Sequence, residues 1–110
     1  MKILALPEVQ QYLNELINIL YNKGYFGFEE TALKYVSELE TEIRETLPYR
    51  HKRKAPKYFE RYGKDMFFAT FKKSKRTQWY VFFSKYEENK ETIYLIRHIE
   101  NNHTAAQYLI

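Results

Sequence analysis

Apolar positions along this chain of 110 residues follow two different periods. Before Pro48 they recur three and four residues apart. Val9, Leu13, Leu16, Ile17 and Leu20 form one stripe, and Ala32, Val36, Leu39, Ile43 and Leu47 form a second. Each is the buried face of an amphipathic helix. The first helix is predicted over about Pro7 to Asn22, with proline in its first turn and Gly24 as its stop. The second opens on Glu29 and Glu30, whose carboxylates suit a helix N-terminus, and ends at Pro48. After Asp65 the period drops to two. The runs DMFFATFK, TQWYVFFSKY and ETIYLIRHI are rich in aromatic and β-branched residues, and the breaks between them, KKSKR and EENK, are polar. That pattern predicts three strands in an antiparallel meander.

Strict alternation places Phe67, Ala69 and Phe71 on one side of the first run, Trp79, Val81 and Phe83 on one side of the second, and Ile93, Leu95, Arg97 and Ile99 on one side of the third. The opposite sides carry Phe68, Tyr80, Phe82, Tyr94 and Ile96, so both faces need cover. Two antiparallel helices cannot bury their stripes alone and are expected across one face. Lys2 to Leu6 reads as a short edge strand joining the meander. Tyr49 to Lys64 has no period and contains Pro56 and Gly63, which predicts a long basic loop with a short helical turn around Tyr58 to Arg61. This loop is expected at the other face or its rim. Asn101-Asn102-His103 breaks the last strand, and Thr104 to Leu109 is expected to form one or two helical turns. The predicted architecture is α+β, a single domain over residues 1–110. A two-helix hairpin packs on a mainly antiparallel four-stranded sheet, in the order β-α-α-β-β-β with a short C-terminal helix.

Charge changes the picture more than composition does. Net charge is −4 over residues 1–43, +9 over 44–76 and −1 over 77–110. A central block of this kind is either a solvated loop or a surface that meets polyanions. The aromatic residues, 11 Tyr, 8 Phe and 1 Trp, are expected mostly in the core, with some available to stack on bases. There is no cysteine, which excludes disulfides, a thiol nucleophile and thiolate metal sites and is compatible with a cytoplasmic location. No run is long enough to span a bilayer, so a soluble, unprocessed chain with no membrane partner is expected. Three histidines without paired spacing argue against zinc, and isolated glycines against a phosphate-cradling loop. No metal or cofactor is expected.

The segments LALPEVQQYL, KRKAPKYFERYGKDMFFATF, KKSKRTQWYVFF and YLIRHIENNHTAAQYL, with the helical hairpin between the first two, resemble toxins of the RelE/ParE superfamily of bacterial type II toxin–antitoxin modules over nearly the full length. The resemblance implies a toxin with a cognate antitoxin as partner. Many members are ribosome-dependent mRNA endoribonucleases, whereas ParE-type members inhibit DNA gyrase. A non-catalytic RNA-binding relative is a third reading.

Metal-independent cleavage by the 2′-hydroxyl needs a base, an acid and cations to neutralise the phosphoryl oxygens. His103 is a candidate acid or base because it follows the last strand at a sheet edge, or else it caps the tail. His98 is expected to be a packed strand residue and His51 a surface group. Arg97, expected on the face opposite His98, either clamps a phosphate or pairs with a helix carboxylate such as Glu38 or Glu42. Lys52, Arg53, Lys54, Lys57 and Arg61 resemble the basic cluster of nuclease members, which makes Lys54 and Arg61 candidates for phosphate neutralisation and the others RNA-binding. Tyr108 falls where some nuclease members use a catalytic tyrosine, or else it makes a hydrophobic contact that closes the fold. Lys72, Lys73, Lys75 and Arg76 form the hairpin tip, which either solubilises the turn or, through Lys72, Lys73 and Arg76, binds RNA. Nuclease members carry an arginine just inside the second strand of the meander, where this chain has Thr77-Gln78-Trp79-Tyr80. Either Arg76 serves from the turn, or that member of the site is missing.

Overall fold

The architecture is that of a computed structural model, which describes residues 1–24 and 26–102. Two helices, α1 (Pro7–Asn22) and α2 (Glu29–Thr46), pack on a mixed sheet of five strands. The strands are β1 (Lys2–Ala5), β2 (Arg53–Lys54), β3 (Phe67–Lys72), β4 (Gln78–Glu88) and β5 (Glu91–Asn101), and their order across the sheet is β1-β5-β4-β3-β2. β1 runs parallel to β5, pairing Lys2 with Ile93 and Ala5 with Ile96. The sheet has one strand more than the sequence predicts. Arg53 and Lys54 have no periodic signature, yet they pair with Phe68 and Phe67, and the Ala55 amide donates to the Met66 carbonyl at 2.9 Å. Two residues are too short a run for alternation to register. The predicted C-terminal helix lies outside the described residues.

Both helical stripes face the same side of the sheet. Leu13, Leu16, Val36, Leu39 and Ile43 meet Phe71, Trp79, Val81 and Phe83 in the main core. Trp79 donates its indole N–H to the Tyr35 hydroxyl at 2.9 Å, so the largest buried ring is also satisfied as a donor. Beyond α2 the chain turns through Pro48, and Arg50 closes this end. Its guanidinium donates to Glu42 Oε1 (2.9 Å), Thr46 Oγ1 (2.9 Å) and the Thr70 carbonyl (3.1 Å), and lies 4.0 Å from the Phe71 ring centroid. One cation of the basic segment is thus a structural clamp.

The opposite face is covered by the basic segment itself. A 3-10 helix over Lys57–Tyr62 contains the predicted turn and crosses the strands. Phe59 stacks on Phe82 of β4 (4.3 Å between centroids), and Tyr62 stacks on His98 of β5 (3.7 Å, 6° between planes). Met66 and Phe68 complete a second, smaller core.

The alternation predicted for the last strand fails at one residue. Phe82 pairs with His98 and Phe83 with Ile96, which leaves Arg97 as a bulge. The helix side therefore receives Tyr94, Ile96 and Ile99 rather than Ile93, Leu95, Arg97 and Ile99. Arg97 turns to the loop-covered side, the same side as His98, which corrects the expected separation of the two. There it passes beneath Gly63, whose φ is +156°; a β-carbon at that position would sit 2.7 Å from Arg97 Cδ. Only glycine permits this approach.

Candidate acid–base cleft

β1 pairs with β5 only as far as Ile96, and the chain then leaves the sheet through Leu6 into α1. The rest of β5, from Arg97 to Asn101, borders a cleft of about 640 Å³ between the start of α1 and the 3-10 helix. Leu6, Val9 and Ile99 form its apolar wall. Its polar groups are Glu8 and Tyr12 from α1, Arg61 and Tyr62 from the 3-10 helix, and Arg97, His98, Glu100 and Asn101 from β5.

His98 and Glu100 lie two residues apart on one side of the strand. The imidazole Nε2–H donates to Glu100 Oε1 at 2.5 Å, and about a fifth of each side chain is exposed. The ring is held from both directions, by this carboxylate and by the Tyr62 ring stacked on it, so His98 is packed as predicted but also lines the cleft. Burial raises the Tyr62 hydroxyl above its ordinary value, and the Glu100 charge and Tyr58 add to this against the opposing pull of Arg61. Burial raises Tyr12 as well, with Glu100 again adding. Both phenols hold their proton more firmly than a free tyrosine does.

Arg61 is exposed, fixed by its Nε–H to the Tyr58 carbonyl (3.1 Å), with its guanidinium 3.9 Å from the Tyr58 ring centroid. Arg97 donates Nε–H to Ser84 Oγ at 2.7 Å. It pairs with neither helix carboxylate: Glu42 is taken by Arg50, and Glu38 lies 4.0 Å from Lys34. Alternation from Ile96, which faces the helices, carries Arg97 away from them, and the bulge then brings His98 to the same side.

Of the predicted cluster, then, Arg61 and Arg97 share the cleft and the rest do not. Lys54 lies in the exposed edge strand β2, three strands away from β5, roughly 14 Å at the usual strand spacing. Arg53 is its exposed neighbour, and Lys57 is exposed at the start of the 3-10 helix. Lys52 donates to the carbonyls of Pro48 (2.7 Å) and Arg50 (3.0 Å), and burial followed by the charge of Lys85 lowers its ammonium below the ordinary value. Its donors serve the turn after α2. Lys72 and Arg76 are exposed at the hairpin tip, and Lys73 lies 5.6 Å from the Tyr35 ring centroid. Asn102 ties that tip to β5: its side chain accepts from the Gln78 amide (2.9 Å) and donates to the Arg76 carbonyl (3.0 Å). His51 is exposed. His103 and Tyr108 lie outside the described residues. Tyr62, Glu100 and Tyr12 did not stand out in the sequence; the one signal for them was the spacing of Tyr94, Ile96 and Ile99, which breaks the two-residue period beside Arg97.

Among the described residues no group of three or more His, Cys, Asp or Glu side chains is placed to hold a metal ion, and no helix is long and apolar enough to cross a membrane. No family model, no curated protein and no solved structure matches the chain.

Proposed function

We propose that this chain is a RelE/ParE-like toxin that cuts mRNA on the ribosome and is neutralised by a partner antitoxin in the cytoplasm. The carrying observation is the convergence of Arg61, Arg97, Tyr62 and the His98–Glu100 pair in one cleft beside the most basic part of the chain. The order of elements, with a short first strand, a helical hairpin and the basic segment before the meander, supports the same reading.

In this reading His98 takes the 2′-hydroxyl proton at Nδ1, the nitrogen not engaged by Glu100. The oxygen attacks phosphorus, the bond to the 5′ oxygen breaks, and the Tyr62 hydroxyl returns a proton to that oxygen. The products are a 2′,3′-cyclic phosphate and a free 5′-hydroxyl. Arg61 and Arg97 neutralise the charge that gathers on the phosphoryl oxygens, and Glu100 orients the imidazole.

Inducible expression followed by primer-extension mapping of abundant messages tests this. Growth arrest with discrete new 5′ ends inside translated regions is the expected result. His98→Ala should lower cleavage by about 10²–10⁴-fold while leaving the chain folded. Arg61→Glu should also abolish arrest, and a folded Arg61→Glu chain that remains fully toxic overturns the site. On this face β4 presents Tyr80, Phe82 and Ser84 rather than the arginine that the resemblance places there; a second reading, in which the chain binds and inhibits DNA gyrase, does not need that arginine. Arrest with intact messages and a DNA-damage response would decide for it.

A further inference from the structure

The cleft contains charges of both signs. A site for phosphate alone would be lined by cations, because each carboxylate nearby repels the anion. Here Glu8, in the first turn of α1, lines the same cleft as Arg61 and Arg97. Glu8 is exposed and has no hydrogen bond or ion pair among the described residues, unlike Glu100, which is held by His98. Its ordinary role would be to complement the helix dipole, worth a few tenths of a kcal/mol. That role does not require a place in the same cleft as two arginines. The occupant that fits is anionic at one end and rich in N–H donors at the other.

We propose that the cleft holds one guanosine nucleotide of the RNA substrate, with Glu8 reading the base. The inference rests on the assignment of this cleft as the RNA site. Guanine alone among the four bases presents two adjacent N–H donors, N1–H and the 2-amino group, and these match the two oxygens of one carboxylate. Adenine, cytosine and uracil each offer a single donor group on the corresponding edge. The sugar and phosphate extend toward Arg61 and Arg97, and the base rests against Leu6 and Tyr12. A cleft of about 640 Å³ accommodates one nucleotide with water to spare.

Calorimetric titration of the full chain with the 3′-monophosphates of guanosine, inosine and adenosine, and with inorganic phosphate, tests the assignment. Guanosine 3′-monophosphate should bind at least about tenfold more tightly than the inosine analogue, which lacks only the 2-amino group, and than the adenosine one. Glu8→Gln should erase this preference and leave the weaker affinity for inorganic phosphate unchanged. Arg61→Ala should weaken all four ligands alike. Equal affinities for the three nucleotides, no nucleotide binding at millimolar concentration, or a guanosine preference that survives Glu8→Gln would each overturn the proposal. Mapping of message ends in cells separates it from the nuclease reading. Selective guanosine binding without cleavage leaves the base-reading site standing and removes the nuclease. Cleavage without selective binding removes the base-reading site alone.

Discussion

The two faces of the sheet are equally aromatic in sequence and are covered in opposite ways. The helix side buries fifteen described residues in one core, contributed by α1, α2, Leu47 in the turn after it, and three strands. The loop side buries four, Phe59, Met66, Phe68 and Phe82, under about two turns of 3-10 helix. At roughly 25 cal/mol per Å² of apolar surface, global stability belongs mainly to the first face. The second face contributes position. Its cover brings Arg61 and Tyr62 to His98 and Arg97, and few contacts hold it there. Hydrophobic alternation marks which strands have two buried faces, but the element that covers each face decides whether it supplies stability or chemistry.

The contrast can be broken most severely on the helix side. Trp79→Ala removes a fully buried ring and its bond to Tyr35, and should cost about 3–5 kcal/mol in denaturant unfolding, a large fraction of an ordinary domain's stability. Phe59→Ala on the loop side removes another fully buried ring at the low end of that range, about 3 kcal/mol. Its signature should be local: limited trypsin digestion at Lys57, Arg61 and Lys64 should accelerate while the helix-side amides keep their protection from exchange. If protection falls uniformly, the two faces form one cooperative unit and the distinction is wrong.

A smaller effect is expected at the passage of Arg97 under Gly63. Gly63→Ala should cost about 1–3 kcal/mol, because a β-carbon is strained at this φ and meets Arg97 Cδ. Combining it with Arg97→Ala should recover part of that loss, and strictly additive costs would show that the two do not touch. The smallest effect is on pH dependence. Tyr12 and Tyr62 ionise above their ordinary 10.0 in the folded chain, so their contribution is intact below pH 10 and is lost as pH climbs through the raised values. Tyr62→Phe should make the fall in thermal stability above pH 10 shallower than in the parent chain. An unchanged slope would place the Tyr62 hydroxyl in solvent.

Most of the scaffold was legible. The stripes from Val9 to Leu20 and from Ala32 to Leu47 gave both helices, and the aromatic runs gave β3, β4 and β5, because burial of one side repeats over several turns or pleats. The turn at Asn89 and Lys90, both with positive φ, lies in the predicted break EENK. The candidate site was read less well, for a local reason. A single bulged residue reverses the side on which everything after it points, so Arg97 and His98 looked separated when the strand brings them together. The basic segment misled differently. Charge alone cannot separate Arg50, spent on Glu42 and Thr70, or Lys52, spent on two carbonyls, from Arg61, which borders the cleft.

The parallel pairing of β1 with β5 has a consequence in time. Residues 2–5 are made well before their partners, residues 93–96, so β1 must wait while the roughly ninety residues between them are synthesised before it finds its place. Closing so long a loop costs entropy that no local contact repays in advance, and topologies dominated by such distant pairs assemble slowly. The cleft borders the stretch of β5 just past this pairing, and Leu6, whose amide bonds the Ile96 carbonyl, is part of its wall. The site is therefore completed only when the two ends of the described chain meet, and a nascent chain short of β5 carries its basic segment without a working cleft.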